Sequence, residues 1–146
     1  MPMINMASGA AIAFGFGFLY FLGAIPAGVV AGTPLWLAAV SAWAGYSAGA
    51  MLVLLAGAPL RDWLVRKFKI PVTRDPSKLI WRVWQKWGLA GLGLLAPVTI
   101  GPQAGSVLAL AVGERAVRVF AALSLGAVPW CVLFALLAGL GAKIAR

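Results

Sequence analysis

The chain has 146 residues, 63% of them hydrophobic and 10% charged, with a mean hydropathy of +0.99. A soluble domain carries about 25% charged residues, so the expected class is an all-α polytopic membrane protein. With no histidine and three acids (Asp62, Asp75, Glu114), the chain offers no nucleophile–base set for an enzyme and no basis for a cofactor or metal site.

Charge is absent from Met1 through Leu60, from Trp87 through Gly113 and from Val119 through Ala142. A spanning helix needs about 20 apolar residues, so the first run holds two segments and each of the others holds one. The division is a first membrane half at 1–60, a basic Trp-rich loop at 61–87 and a second membrane half at 88–146. No cleavable signal peptide is expected: a basic n-region is missing and the apolar stretch outruns an h-region. Eight of the twelve basic residues lie within 61–87. Retention of that loop on the cytoplasmic side of a prokaryotic plasma membrane accounts for the +9 charge without nucleic acid as a partner. Cys131, the only cysteine, sits in an apolar run and closes no disulfide within the chain.

In chain order, residues 8–31 form the first apolar segment, with Pro26 late in it. Gly32, Thr33 and Pro34 read as a turn, Thr33 capping a helix that runs from about Leu35 to Ala58. The run SAWAGYSAGA at 41–50 is small enough for a neighbouring backbone to approach closely. RDWLVRKFK leads into the headgroups and IPVTRDPS at 70–77 is irregular. A short helix follows at 77–87, with Ser77 as its N-cap. At 100° per residue, Leu79, Ile80, Val83, Trp84 and Trp87 share one arc, Lys78, Arg82, Gln85 and Lys86 the other, and Trp81 the border. Such a helix belongs in the membrane interface, where Lys78, Trp81, Arg82, Trp84, Lys86 and Trp87 meet the bilayer and anionic lipid. Residues 113–118 form a charged turn before the last segment, 119–141.

Two stretches interrupt this pattern, GAIPAG at 23–28 and APVTIGPQAG at 96–105. Pro97 and Pro102 each lack a donor N–H and crowd a carbonyl one turn back, so a straight helix through both is not expected. In hydrocarbon the freed groups need protein or a wet cavity around them. Helices restarting after Pro26 and Pro102 would offer N–H groups and partial positive charge at membrane depth, with Thr99 and Gln103 adding hydrogen bonds. With Tyr20, Gly28, Gly101 and Gly105 around them, these are the candidate substrate-binding residues, suited to an anion such as a phosphate headgroup. IPAG at 25–28 against GPQAG at 101–105, LAAVSA at 37–42 against FAALSL at 120–125, and LLAG at 54–57 against 136–139 suggest an approximate repeat. Four full spans place both termini and the basic loop inside, with Arg115 and Arg118 outside. Two re-entrant hairpins, each followed by one span, place Arg115 and Arg118 inside and Lys143 and Arg146 outside. Ten basic residues of twelve are inside either way, so the positive-inside rule does not choose.

LGAIPAGVVAG at 22–32, and GPQAGSVLALAVG at 101–113 followed by Phe120, Gly126 and Trp130, resemble the bacterial small multidrug export family. They are also similar to DedA-like membrane proteins. The resemblance implies membrane halves with broken or re-entrant helices and a transport role. Tyr20 and Leu22 stand where those families carry a charged pair, and Pro102–Gln103 replaces a small–aromatic pair. Proton-coupled export generally uses an embedded carboxylate, and the apolar segments hold none. The expectation is a transporter of small molecules or lipid-phosphate anions, acting as a homodimer. The competing expectation is an accessory or assembly subunit packed into a larger membrane complex.

Overall fold

Tyr20 is where regular winding first stops: its backbone is extended at φ −152°, ψ 95°. In this computed structural model, which describes residues 2–68, 79–111 and 114–144, the described residues form six α-helices and no strand. They are α1 Pro2–Leu19, α2 Ala24–Val30, α3 Leu35–Phe68, α4 Leu79–Thr99, α5 Gly101–Ala111 and α6 Ala116–Ile144. A single 3-10 turn, Phe21–Gly23, joins α1 to α2. Four apolar segments were expected, and the extra helices come from the two interruptions.

The two restarts lie upstream of the prolines expected to cause them. The chain breaks at Tyr20 and at Ile100–Gly101, where Gly101 has a φ of 75°. Pro26 and Pro102 fall in the first turns of α2 and α5. A first-turn N–H has no partner within the helix anyway, so proline is free of cost there. Pro97 lies inside α4 without ending it.

After the first break the chain doubles back. Thr33 donates its hydroxyl to the Met6 carbonyl at 3.2 Å, and a methyl at Gly28 would touch Ala13 and Ala38. So α1 and α2 form an antiparallel hairpin tied at its base, and Thr33 serves that tie rather than the cap expected of it. Next to the hairpin, α3 runs parallel to α1, packing Ala42 on Gly17 and Gly49 on Phe18. In the second half α4 and α5 make another hairpin, with Gly105 against Ala96, and α6 runs parallel to α4. The long helices α3 and α6 are antiparallel. Trp43 donates its indole N–H to the Ser124 carbonyl at 2.8 Å, and Leu35 lies against Gly139.

Each half closes on glycines of its paired helices that meet a carbonyl of the other. A methyl at Gly17 would overlap the Ala42 carbonyl, and one at Gly45 the Phe14 carbonyl. In the second half Gly93 meets the Ala122 carbonyl and Gly126 the Gly93 carbonyl. Tyr20 thus corresponds to Ile100, Leu35 to Ala116, Ala42 to Ala122 and Gly45 to Gly126. The match of IPAG with GPQAG paired Pro26 with Pro102, about one turn out of this register.

Among the described residues two helices are long and apolar enough by length and composition to cross a membrane, over Leu35–Gly57 and Ala116–Gly141. The first ends as a rod where Gly57 (φ 66°, ψ −151°) swings the leg 58–68 aside. Gly88 (φ 58°, ψ −143°) does the same between the leg 79–87 and the body of α4. The expected turn at 113–118 is shorter, since α6 already begins at Ala116.

Candidate functional site

The two hairpin tips meet each other. Gln103, early in α5, donates its side-chain amide to the Phe18 carbonyl at 2.6 Å. The last four carbonyls of a helix lack helical N–H partners, and Phe18 belongs to that set in α1. Tyr20 N–H takes up the Phe16 carbonyl within the same turn. Gly49 of α3 stands at the junction, where a Cβ would lie 2.9 Å from Gln103 Nε2, 3.0 Å from Pro102 and 3.2 Å from the Phe18 oxygen. Pro102 is fully buried in the same contact.

Aromatic packing seats the first tip. Phe21 is buried edge-on to Tyr46 at 5.3 Å and to Phe134 at 6.2 Å, and Trp130 stacks on Phe134 at 5.9 Å. Trp130 donates its indole N–H to the Leu94 carbonyl at 2.6 Å. Proline at 97 leaves the Gly93 carbonyl without its helical donor, and that oxygen is the one Gly126 approaches from α6. Within this apolar interior the Tyr46, Ser47 and Ser124 hydroxyls are buried without a hydrogen-bond partner. A buried hydroxyl left unpaired is uncommon and calls for a physical account.

Of the candidate substrate-binding residues, Pro102, Gln103 and, through Gln103, the end of α1 are brought together. Gly28 and Gly105 serve close packing, Gly105 against Leu123 and Ala96. Gly101 supplies the left-handed turn of the second tip. Tyr20, Pro26 and Thr99 are exposed, and the Thr99 hydroxyl bonds back to the Leu95 carbonyl at 2.8 Å. The restart at Ala24 gives a helix of seven residues, too short for much dipole. Tyr46, Gly49, Trp43 and Trp130 stand outside the candidate residues read from the sequence, although 41–50 and Trp130 are singled out there for packing and for the family resemblance. A tryptophan inside an apolar helix was the available signal for the last two, because its indole N–H takes a partner where water is scarce.

Among the interfacial residues, Arg82, Lys86 and Trp87 are exposed, and Lys86 lies 6.0 Å from the Trp87 ring centre. Trp81 and Trp84 belong to the helical leg 79–87, whereas Lys78 and Ser77, with the irregular stretch 70–77, lie outside the described residues. Before Gly57's counterpart leg ends, Lys67 sits 4.5 Å from the Trp63 ring. Comparison of the chain with family models, curated proteins and solved structures gave no match.

Proposed function

We propose that this chain is an integral membrane transporter of the small multidrug export-like type, built as two inverted halves whose re-entrant hairpins close a path between them. The observation that carries the reading is the tip-to-tip contact at Gly49, made by one side-chain hydrogen bond and small-residue packing. Two hairpins entering from opposite ends and meeting midway follow the plan of transporters with broken helices around a central site. The tips hold each other through that one hydrogen bond, so parting them takes Phe21 out of its seat between Tyr46 and Phe134 while α3 and α6 stay joined through Trp43. Separation uncovers Tyr46, on which Phe21 of the first tip packs and whose hydroxyl is otherwise left unpaired inside. Small molecules and lipid-phosphate anions remain the substrate classes, with Gln103 as the first group a solute meets.

The accessory-subunit reading rests on small-residue faces and on the absence of embedded charge. Those at Gly17, Gly45, Gly93 and Gly126 are filled by this chain's own backbone. Reconstitution into liposomes with a panel of ions, organic cations and phospholipid analogues tests transport. Flux is expected with the wild type and is altered several-fold by Gln103→Leu. No flux for the whole panel would leave the accessory role standing.

A further inference from the structure

On the outside of the second half, α4 and α6 leave an open groove of about 920 Å³ between them. That is near the top of the range for ligand sites, roughly 300–1,000 Å³. Ala90, Gly91, Ala121 and Ala122 keep it open along one stretch, and Leu125 and Pro129 line it further along. At the other end stand Trp87, Glu114 and Arg118. From Arg118 to Pro129 a helix rises about 16 Å, close to one leaflet of hydrocarbon at about 15 Å, half the usual core thickness. The groove is thus an apolar channel one leaflet long with a wet, charged mouth.

The mouth carries one acid and one base. Arg82, Lys86 and Arg115 are near the same end, yet among the charged residues only Glu114 and Arg118 line the groove. No ion pair engages either of them among the described residues. A phosphate would meet Arg118 and an ammonium Glu114, with the Trp87 ring at the depth where amphipathic aromatics sit. We infer that this groove seats one acyl chain of a phospholipid whose headgroup carries both a phosphate and a primary ammonium, namely phosphatidylethanolamine from the leaflet on the basic side. The bound lipid bridges α4 and α6 along the side of the second hairpin, and Glu114 selects it over purely anionic lipids. A second copy of the chain is the rival occupant, since its own Arg118 would face Glu114 across a two-fold, and the bound mass in the test below tells lipid from a second copy.

The inference rests on the bilayer reading above, and the test separates the two. Native mass spectrometry of the full chain, delipidated and titrated with phosphatidylethanolamine or phosphatidylglycerol of matched chains, reads bound lipid directly. A charged hydrogen bond accounts for about tenfold or more in affinity, so the wild type should retain phosphatidylethanolamine about tenfold better. Glu114→Gln should erase that preference, Arg118→Gln should weaken both lipids, and Ala121→Phe should fill the groove and abolish both. Equal retention of both lipids overturns the inference, as does a preference that survives Glu114→Gln, or a dimer lost with Ala121→Phe while no lipid is bound. A chain that stays monodisperse in buffer without detergent sinks the bilayer reading itself. A detergent-dependent chain without lipid preference sinks this inference alone.

Discussion

Gly15 and Gly17 stand two residues apart on α1, and a methyl group would find open space at one and a backbone carbonyl at the other. Gly15→Ala should therefore be neutral or raise stability by about 0.5–1 kcal/mol, the usual gain of alanine over glycine in a helix. Gly17→Ala, Gly45→Ala, Gly93→Ala and Gly126→Ala each force two helices apart, at about 1–3 kcal/mol or more. Thermal unfolding in one detergent checks the contrast, and equal midpoints across the set would contradict the packing. Gln103 is different in kind. Gln103→Leu leaves the Phe18 carbonyl unpaired beside Gly49, a loss of about 1–3 kcal/mol for a buried acceptor. Gln103→Glu removes the donor as well, so it should fare no better in the same assay. The glycine content was plain in the sequence, but which glycines carry contacts was not. Gly17, Gly45, Gly93 and Gly126 each meet a backbone carbonyl on a helix 25 to 33 residues away in the chain, and no local pattern around a glycine reports a partner so distant.

Elements are set apart by two joints with nearly the same dihedrals. Gly57 and Gly88 both occupy a region of φ and ψ that is essentially reserved for glycine. Nothing lies within 4 Å of a Cβ built on either, so any penalty from a side chain is backbone strain alone, about 1–3 kcal/mol. Gly57→Ala or Gly88→Ala should relieve it by straightening the joint, lifting the leg 58–68 or 79–87 off the plane it now follows. Hydrogen exchange by mass spectrometry on vesicle-bound protein reads this as faster exchange confined to the affected leg. Uniform exchange changes, or none, would count against the joint. Composition revealed the basic legs, because Trp and Lys or Arg crowd them, and Pro59 marked the end of the first rod within two residues. It gave no hint of Gly88, which sits in a run of glycines and leucines. The breaks were legible for the same reason in reverse: proline announced that winding changes nearby. It pointed to the wrong residue because a proline in a first turn starts a helix as well as it stops one, and Tyr20 and Gly101 do the stopping.

At the scale of the whole molecule, helix direction favours one of the two arrangements that charge counting left open. Because α6 runs parallel to α4 and antiparallel to α3, its start lies at the end of the molecule that carries Arg66, Lys67, Arg82 and Lys86. Arg115 and Arg118 join that basic end, and Lys143 lies at the other, beside the start of α3 near Leu35. This is the distribution that two re-entrant hairpins demand, and four full spans would instead put Arg118 opposite Arg82. Single cysteines at Arg82, Arg118 and Lys143, in a Cys131→Ala background, separate the two with a membrane-impermeant maleimide. Cys131 is buried against its neighbours, and alanine there removes the reactive thiol at the cost of a small void. Arg82→Cys and Arg118→Cys should label from the same face of sealed vesicles, and Lys143→Cys from the opposite face. If Arg118→Cys labels from the face opposite Arg82→Cys while Lys143→Cys joins Arg82→Cys, the hairpins span fully and the tips do not meet. The physical ground for expecting the first outcome is the order of contacts along α4 and α6: Trp87 shares a groove end with Arg118, Gly93 meets Ala122 and Leu94 meets Trp130, an order that only helices pointing the same way give.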